Sequence, residues 1–390
     1  MTCRDLGGFF DHVWSVHPAV GASPEHSGAY AVGPIGITRL APRHTVIEGR
    51  VGRYAWLRSL PRLNFAIAQT GLILRLLRLM KAEHVSIVRA GDAYYLSLLG
   101  LLLARVRHAS LVVRVNSNQD SIYAATGDLA YPRVLPSRRL EQRVARFVLQ
   151  RADLVAAASQ NNLEFALANG ARPERSTIFR YGTWVDPLHF RLDPSDRASV
   201  RPEIGLGDRP FLIIVGRLEP VKHPQDVLAV LERAKHHRPD LGALFVGDGA
   251  MRSELESKAE EMGLAEDVVF VGNRDQQWIV RALTTASVVL SPLTGRALVE
   301  ACLSGSPVVA YDVEWHSEIV KSGTTGILVP YRDTEAMAEA VVTLLADGSL
   351  SASMGRQSRA RTLEMMDPDR LMDHERCTYE NLLGSPGSSG

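Results

Sequence analysis

Short apolar runs alternate with segments of helical periodicity along most of this 390-residue chain. In the first half, β-branched runs predict strands over Val85–Val88 and Leu111–Val115, on either side of a helix over Tyr95–Val106. The alternation restarts at a strand over Phe211–Val215 and continues to a helix over Glu335–Leu345. Alternating strands and helices predict parallel sheets that helices cover on both faces.

An irregular segment, Tyr181–Ser195, separates the two alternating blocks; it contains two Asp-Pro pairs and has no periodicity, as expected for a linker. We therefore predict an α/β protein with two Rossmann-like, doubly wound parallel sheets, an N-terminal domain over residues 1–185 and a C-terminal domain over 186–368. The two domains are expected to face each other across a ligand-binding cleft. Before the first block, a strand is predicted over Phe9–His17, and the glycine- and proline-rich stretch His26–Val46 is predicted to be irregular.

The stretch from Ser291 to Tyr311 reads as a loop, a short helix and a strand, preceded by an apolar strand over Ala286–Leu290. The backbone N–H groups around Arg296 to Leu298 are expected to lack partners within the helix, and such a helix start attracts anions. Glu300, one turn into the helix, could accept hydrogen bonds from sugar hydroxyls. On this stretch alone, a packing helix with a surface glutamate is an equally good interpretation.

Two further strand ends in the second block carry chemistry. Gly216 ends a strand, Arg217 follows it, and Lys222 precedes the helix that Pro224 opens. An arginine fork and a lysine point charge together suit a diphosphate, although most such pairs in proteins are solvated loop cations. Gly247 and Gly249 bracket Asp248 after the next strand and would permit close backbone approach.

Composition excludes several classes of function. The 44 basic and 43 acidic residues give a net charge of +1, which provides no overall field for nucleic acid. Three scattered cysteines (Cys3, Cys302 and Cys377) form neither a disulfide framework nor a metal spacing, which fits a cytoplasmic location. The N-terminal residues do not read as a signal peptide, and the longest apolar run, Ala93–Ala104, is too short to span a bilayer. The one Asp-x-Asp motif, Asp367–Asp369, is interpreted as a helix cap, and no metal is predicted.

Four segments in order, VGRLEPVKHP, VGDGAMRSELE, VVFVGN and ALVEACLSGSPVVA, resemble the C-terminal domain of the retaining family 4 glycosyltransferases, which have the GT-B fold. The resemblance extends over about Ala152 to Asp347, and the N-terminal block matches only in architecture. The resemblance implies a metal-independent, retaining transfer of a sugar from a UDP- or GDP-sugar to a hydroxyl acceptor. The acceptor would be a glycan or a lipid-linked group, and the reaction would belong to polysaccharide, glycan or glycolipid biosynthesis. No cofactor beyond this co-substrate and no nucleic-acid partner is implied.

By the same resemblance, Arg217 and Lys222 would hold the donor diphosphate, Glu300 would bind the ribose, and these three form the predicted catalytic set. Asn273 would border the base, and the amides near Arg296–Val299 would meet the distal phosphate. The full predicted donor set is Gly216, Gly247, Gly249, Asn273, Thr294, Gly295, Arg296, Ala297, Leu298 and Val299. The last helix, over residues 369–383, would pack back on the first domain, and residues 384–390 would form a flexible tail.

The chain departs from the family pattern at two places. The first of two family glutamates, which contacts the donor sugar, is replaced by Pro292, so either Thr294 and Arg296 make that contact, or the donor preference differs, or catalysis is impaired. No histidine ends the strand Leu111–Val115, where the family often places one. The segment VRVNSNQD offers Asn116, Asn118 and Asp120 as acceptor or sugar contacts, and these residues form an Asx-rich turn equally well. The glycine loop that usually follows a first strand is represented only by Gly7–Gly8, with no strand predicted ahead of it.

Three alternatives remain open from the sequence. A nucleotide-sugar epimerase on the same fold would need a carboxylate that Pro292 removes, and a non-catalytic nucleotide-sugar-binding protein would fit the missing glutamate. The first domain also has a helix with Arg75, Arg78 and Lys81 and a basic run of Arg133, Arg138, Arg139, Arg143 and Arg146. By default both are interpreted as solvated faces, and alternatively as contacts with the inner membrane surface that present a lipid-linked acceptor. The sequence does not predict an oligomeric state.

Overall fold

The computed structural model describes residues 5–20, 32–132, 134–191 and 200–384. Cys3, Arg133, the end of the predicted linker and the predicted tail from residue 385 onward lie outside the described residues. The chain divides into two compact units. Among the described residues, the first contains those up to Ala158, Asn162–Phe179 and those from Met372, and the second contains Ser159–Asn161 and Arg180–Leu371. The observed division thus falls between Phe179 and Arg180, before the predicted boundary at residue 185.

The N-terminal unit contains a three-stranded sheet in the order β1-β3-β2 and a four-stranded parallel sheet in the order β4-β5-β6-β7. Its elements are β1 Val13–Val20, β2 Gly36–Ala41, β3 His44–Arg50, α1 Pro61–Ala82, β4 Ile87–Ala90, α2 Tyr95–Arg107, β5 Ser110–Val115, α3 Gln119–Thr126, α4 Arg138–Leu149, β6 Leu154–Ala157, α5 Gln160–Ala168 and β7 Ser176–Ile178. Helix α5 begins in the short segment that clusters with the second unit, where Glu318 accepts hydrogen bonds from the N–H groups of Gln160 and Asn161.

The prediction that His26–Val46 is irregular was wrong from Gly36 onward, because β2 and the start of β3 lie there and pair antiparallel, while residues 26–31 lie outside the described residues. Strand β2 is an edge strand, and most of its residues are exposed, so the apolar alternation that marks a half-buried strand is missing. The first strand begins at Val13, later than predicted. Gly7–Gly8 precedes this strand and lies against Arg376, so it is not the loop that follows a first strand.

Helix α1 is, by length and composition alone, long and apolar enough to cross a membrane. Leu72, Leu76 and Met80 bury one of its faces in an apolar cluster with Ile47 and Leu103. Only 28% of its most apolar window is buried, so much of the helix surface is accessible.

The C-terminal unit contains a six-stranded parallel sheet in the order β10-β9-β8-β11-β12-β13. Its elements are α6 Pro187–Arg191, α7 Arg201–Ile204, β8 Phe211–Val215, α8 Pro224–Lys235, β9 Gly242–Val246, α9 Arg252–Glu261, β10 Val268–Gly272, α10 Gln276–Thr285, β11 Val288–Ser291, α11 Ala297–Leu303, β12 Val308–Tyr311, α12 His316–Ile319, β13 Ile327–Val329, α13 Thr334–Ala346 and α14 Gly348–Met366. Two apolar clusters, one on each face of the sheet, bury both sides of the central strands, as the continuous apolar runs predicted.

The strand order places β8 beside β11, although β9 and β10 lie between them in the sequence. The chain therefore leaves β8 toward one side of the sheet and β11 toward the other, which opens a crevice at their carboxyl ends. A last helix, α15 over Pro368–Gly384, begins in the C-terminal unit and continues in the N-terminal one. Asp367 caps it by accepting hydrogen bonds from the N–H groups of Asp369 and Arg370, as the sequence predicted.

Candidate functional site

Two glycines allow the turns after β8 and β9 to touch. A Cβ on Gly247 would lie 1.9 Å from the carbonyl oxygen of Gly216, and a Cβ on Gly249 would lie 2.4 Å from that of Leu218. The N–H of Leu218 also donates to the carbonyl of Asp248 at 3.0 Å. The sequence predicted that these glycines permit close backbone approach. In the structure, the two turns that approach each other are those after β8 and β9, and together they form the floor of the crevice.

Lys222 reaches from the end of β8 to the turn that follows β11. Gly295 in that turn has a φ of 66°, and a Cβ there would lie 3.6 Å from the Lys222 ammonium. Burial lowers the pKa of Lys222; the Glu314 carboxylate opposes this effect, and the Arg217 guanidinium adds to it. Within the described part of the chain, no carboxylate comes within ion-pair distance of Lys222. This partly buried ammonium at the switch point thus has no fixed counter-ion in the ranges that the structure describes.

Arg217 brings a second positive charge to the same edge. Its side chain is exposed, one residue beyond Gly216, and its charge acts on Lys222. Two cations that repel each other in a crevice favour a ligand with at least two negative charges, such as a diphosphate.

The turn between β11 and α11 packs against the end of β8. Thr294 is buried, and its methyl group lies 3.9 Å from the position of a Cβ on Gly216. Its hydroxyl shares a hydrogen bond with the hydroxyl of Ser291. Pro292, which replaces the first family glutamate, is buried in the same turn. Thr294 therefore holds the turn in place with a hydroxyl that already has a partner.

The amide groups at the start of α11 differ from the sequence prediction. Leu298 and Val299 donate their N–H groups to the carbonyls of Gly295 and Arg296, at 3.0 and 2.9 Å. The prediction of a free amide was therefore wrong for Leu298, and the Val299 amide, which the resemblance assigned to the distal phosphate, is also occupied. Among the described residues, no acceptor serves the N–H groups of Arg296 and Ala297, which remain available to an anion.

Glu300 lies almost fully buried behind this turn, with only 4% of its surface exposed. Burial raises its pKa to about 7, although the Arg296 guanidinium, 3.8 Å from the carboxylate, works in the opposite direction. Asp186 raises the pKa further. A carboxyl group that is part protonated near neutral pH can both accept and donate hydrogen bonds to ribose hydroxyls.

Asn273 follows β10 directly and is exposed. It is held close to the turn after β9, because the N–H of Gly247 donates to the carbonyl of Gly272 at 2.9 Å. The ends of β8, β9, β10 and β11 thus bring most predicted donor residues to one edge of the sheet.

The polar residues of the N-terminal unit that were predicted to contact acceptor or sugar make hydrogen bonds within that unit. Asn118 caps α3 by accepting the N–H of Ser121, as an Asx turn does. Asp120 pairs with Arg138 and accepts a hydrogen bond from Asn169 at 2.9 Å. Burial disfavours its charged form, but these partners lower its pKa. An open depression of about 440 Å³ lies beside them, lined by Asn118, Asp120, Ser121, Ala124, Glu164, Phe165 and Ala168. Asn116 donates to the carbonyl of Gly91 at 3.3 Å. A contact of these residues with sugar stays a prediction.

In the described ranges, no three His, Cys, Asp or Glu side chains are placed to hold a metal ion. His316 is structural: it is fully buried, and its Nδ1 lies 2.9 Å from the carbonyl oxygen of Tyr311. Glu314, whose charge acts on Lys222, belongs to no recognisable motif. The one sequence signal for it is its position just after the strand that became β12.

A comparison with protein families adds to this geometry. Residues 196–361 match the family model described as "Glycosyl transferases group 1". The C-terminal unit therefore contains a glycosyl transferases group 1 domain. The resemblance drawn from the four sequence segments is confirmed.

Curated relatives of this glycosyltransferase have related activities. It is 29% identical over 306 residues, 74% of this chain and 75% of the relative, to the GDP-mannose-dependent α-(1-6)-phosphatidylinositol monomannoside mannosyltransferase of Mycolicibacterium smegmatis. It is 34% identical over 216 residues, 50% of this chain and 48% of the relative, to the D-inositol 3-phosphate glycosyltransferase of Nocardia farcinica.

Solved structures confirm the predicted fold. The sucrose-phosphate synthase of Thermosynechococcus elongatus superposes with a TM-score of 0.76 at 20% identity, covering 98% of this chain and 92% of that one. HepE of Anabaena, solved in complex with UDP and glucose, superposes with a TM-score of 0.67 at 22% identity, covering 86% of each chain. The glycosyltransferase has the two-domain α/β fold of the GT-B class.

Proposed function

We propose that this glycosyltransferase binds a nucleoside diphosphate sugar at the carboxyl edge of its C-terminal sheet and transfers the sugar, with retention, to a hydroxyl acceptor. The observation that carries the proposal is the meeting of Lys222 with the Gly295 turn, beside the charge of Arg217. Both cations lie in the region that matches the family model. The donor diphosphate lies against these cations and the free amides of Arg296 and Ala297.

Electrostatics explains how such a site would accelerate transfer. When the anomeric C–O bond breaks, negative charge grows on the departing nucleoside diphosphate, while the sugar becomes oxocarbenium-like. Cations fixed at the phosphates then bind the transition state more tightly than the ground state. A charge-assisted hydrogen bond contributes about 1.5–3 kcal/mol, more than an exposed helix start at about 0.3–1 kcal/mol. Arg217 and Lys222 can therefore neutralise the leaving group, and we propose that transfer is metal-independent.

A panel of nucleotides tests the donor proposal. UDP, GDP and their sugars are compared by thermal shift on the purified chain, and the stabilising donor is then used in a transfer assay. Arg217→Ala is expected to lower turnover by about 10²- to 10³-fold with the fold intact. Wild-type turnover in this variant, or no stabilisation by any nucleotide, would refute the proposal.

The same assay separates the two alternative functions. Supplying donor without acceptor reveals an epimerase by the appearance of an isomerised sugar. Tight donor binding with neither transfer nor slow hydrolysis indicates a non-catalytic binding protein, the outcome that Pro292 would explain.

We further propose that the acceptor is lipid-linked and that the N-terminal unit works at an anionic membrane surface, near the inner face of the cytoplasmic membrane. A relative that aligns with 74% of this chain is named for a phosphatidylinositol-linked acceptor. The turn before α1 and its first residues present a surface that suits lipid, here called the Trp56 surface. It consists of the exposed apolar residues Tyr54, Trp56, Leu60 and Leu63 and the exposed Arg53, Arg58 and Arg62.

The Trp56 surface is built rigidly. Trp56 is 76% exposed, yet the turn before it is fixed by the fully buried Asn64. The Asn64 side chain accepts the N–H groups of Arg53 and Tyr54, at 2.6 and 2.9 Å, and donates to the carbonyl of Tyr54 at 2.8 Å. An exposed indole between arginines favours the interface of an anionic bilayer, where the ring sits among headgroups and the cations meet phosphates.

Vesicle sedimentation tests this surface. The chain is expected to bind anionic vesicles at low salt, and Trp56→Ser is expected to weaken binding about tenfold. Leu383→Ser, an exposed leucine on α15, is the control and is expected to bind as wild type does. No binding of the wild type at low salt would refute membrane contact, and equal binding by Trp56→Ser would refute this surface.

A further inference from the structure

A carboxylate at the carboxyl edge of the C-terminal sheet has no role in the donor site described above. Glu314 follows β12 in the turn that runs from Tyr311 to His316. Because β12 pairs with β11, this turn neighbours the one that carries Thr294 and Gly295. Glu314 therefore lies next to the expected position of the donor.

The backbone of Glu314 is left-handed, with a φ of 52°. Such a conformation is unfavourable for a glutamate and persists where the surrounding structure fixes it. Here the N–H of Val313 donates to the carbonyl of Tyr311 at 3.0 Å, and the N–H of His316 donates to the carbonyl of Val313 at 3.1 Å. The buried His316 adds its Nδ1 contact with Tyr311 at 2.9 Å. A glycine would adopt this turn without strain, so the presence of a glutamate points to a use for its side chain.

The surroundings of the Glu314 carboxylate fit that interpretation. The residue is partly buried, and burial raises its pKa, while the charge of Lys222 opposes this effect. Across the described residues, no donor bonds to the carboxylate and no cation comes within ion-pair distance of it. A partly buried carboxylate that has no hydrogen-bond donor among the described residues, beside the lysine expected to hold the diphosphate, is suited to accept hydrogen bonds from hydroxyl groups.

Three other candidates for contact with the donor sugar, all in the β11 turn, are unavailable or already paired. Pro292 has no hydrogen-bonding side chain, the Thr294 hydroxyl is bonded to Ser291, and the Arg296 guanidinium lies 3.8 Å from Glu300. We propose that Glu314 accepts hydrogen bonds from hydroxyls of the donor sugar, and so supplies from the β12 turn the carboxylate that Pro292 removes from the β11 turn. This inference rests on the proposed nucleotide-sugar transfer.

If Glu314 acted only through its charge on Lys222, the expected result would be different. A carboxylate that only tunes Lys222 changes the affinity for the nucleoside diphosphate and for the nucleotide sugar by the same factor. A carboxylate that binds the sugar affects only the nucleotide sugar. Two variants separate these effects: Glu314→Gln removes the charge and keeps the shape, and Glu314→Gly also relieves the backbone.

The experiment measures kcat/KM with the donor identified for the wild type, and the Kd of that donor and of its nucleoside diphosphate by calorimetry. Both variants are expected to lose about 10- to 100-fold in kcat/KM, as for one or two hydrogen bonds to a charged group, with the diphosphate Kd within about threefold of wild type. Arg332→Gly is the matched control: Arg332 has a similar left-handed backbone, with a φ of 63°, and an exposed side chain. Its kcat/KM is expected to match wild type.

Three results would overturn the inference. Wild-type kcat/KM in both Glu314 variants would refute contact with the sugar. Equal changes in the two affinities would assign Glu314 to tuning Lys222. A wild type that binds no nucleotide sugar would refute the proposed function itself, and this outcome is recognised before any variant is made.

Discussion

The alanine variant of Gly295 separates the cost of backbone strain from the cost of blocking the diphosphate. Gly295 has a φ of 66°, and an alanine methyl there would lie 3.6 Å from the Lys222 ammonium, an ordinary van der Waals contact. The methyl therefore fits without a clash, but it occupies the space through which a phosphate oxygen would approach the ammonium. We expect Gly295→Ala to fold and to lose activity.

The structure allows two effects of Gly295→Ala to be estimated, the loss of stability and the loss of attraction between Lys222 and a phosphate. A left-handed backbone costs alanine roughly 1–2 kcal/mol, and the stiffer unfolded chain offsets about 0.4–1 kcal/mol, so Tm should fall by about 2–4 °C. If the methyl moves a phosphate charge from about 3 Å to about 5 Å from the ammonium, the attraction weakens by about 2 kcal/mol at an effective dielectric constant of about 20. That loss corresponds to roughly a 30-fold lower kcat/KM.

The matched control is Gly205→Ala. Gly205 has a φ of 71° with nothing within 4 Å of its Cβ position, and it ends α7 on the amino side of β8. Calorimetry should give the two variants similar Tm values, and steady-state kinetics should show the activity loss only in Gly295→Ala. Equal kcat/KM in both variants would refute the assignment of the Gly295 turn to the diphosphate.

Three further predictions concern single residues. The raised pKa of Glu300 means that the folded state holds its proton up to about pH 7 while the unfolded state releases it near its ordinary value, so stability falls as pH rises between the two. Glu300→Gln should therefore raise the Tm of the ligand-free chain more at pH 8 than at pH 5, because it removes a pH-dependent loss of unfolding free energy of at most about 3 kcal/mol; a Tm gain independent of pH would contradict the burial argument. Asn64→Ala should cost about 2–4 kcal/mol, because it leaves the N–H groups of Arg53 and Tyr54 unpaired, and wild-type stability in thermal unfolding would contradict this. Asp367→Ala should cost about 1 kcal/mol through loss of the α15 cap, and an unchanged Tm would show that the cap is not needed.

Sequence reasoning succeeded where local pattern and structure agree. The strands of the C-terminal sheet are continuous apolar runs because helices cover both faces, so the alternation of elements and the strand ends could be read directly. The positions of the strand ends also predicted that Lys222 and Gly295 lie close together, because the carboxyl ends of parallel strands share one edge of the sheet.

The parts that sequence reasoning missed depend on geometry that a pattern does not encode. Strand β2 is exposed at an edge and lacks apolar alternation. The Leu298 amide is occupied because the first turn of α11 tightens, which depends on the path of the preceding loop. Glu314 was missed because only its left-handed backbone and its proximity to Lys222 distinguish it from a surface glutamate.

The central claim is that Lys222 holds the diphosphate of the donor, and calorimetry of UDP and GDP against the wild type and Lys222→Met tests it most directly. Methionine keeps the length of the side chain and removes the charge, so packing is largely preserved while the ammonium is lost. We predict that the wild type binds one of the two nucleotides and that Lys222→Met binds it at least tenfold more weakly, with an unchanged Tm in the absence of ligand. Equal affinity in the two proteins would contradict the account.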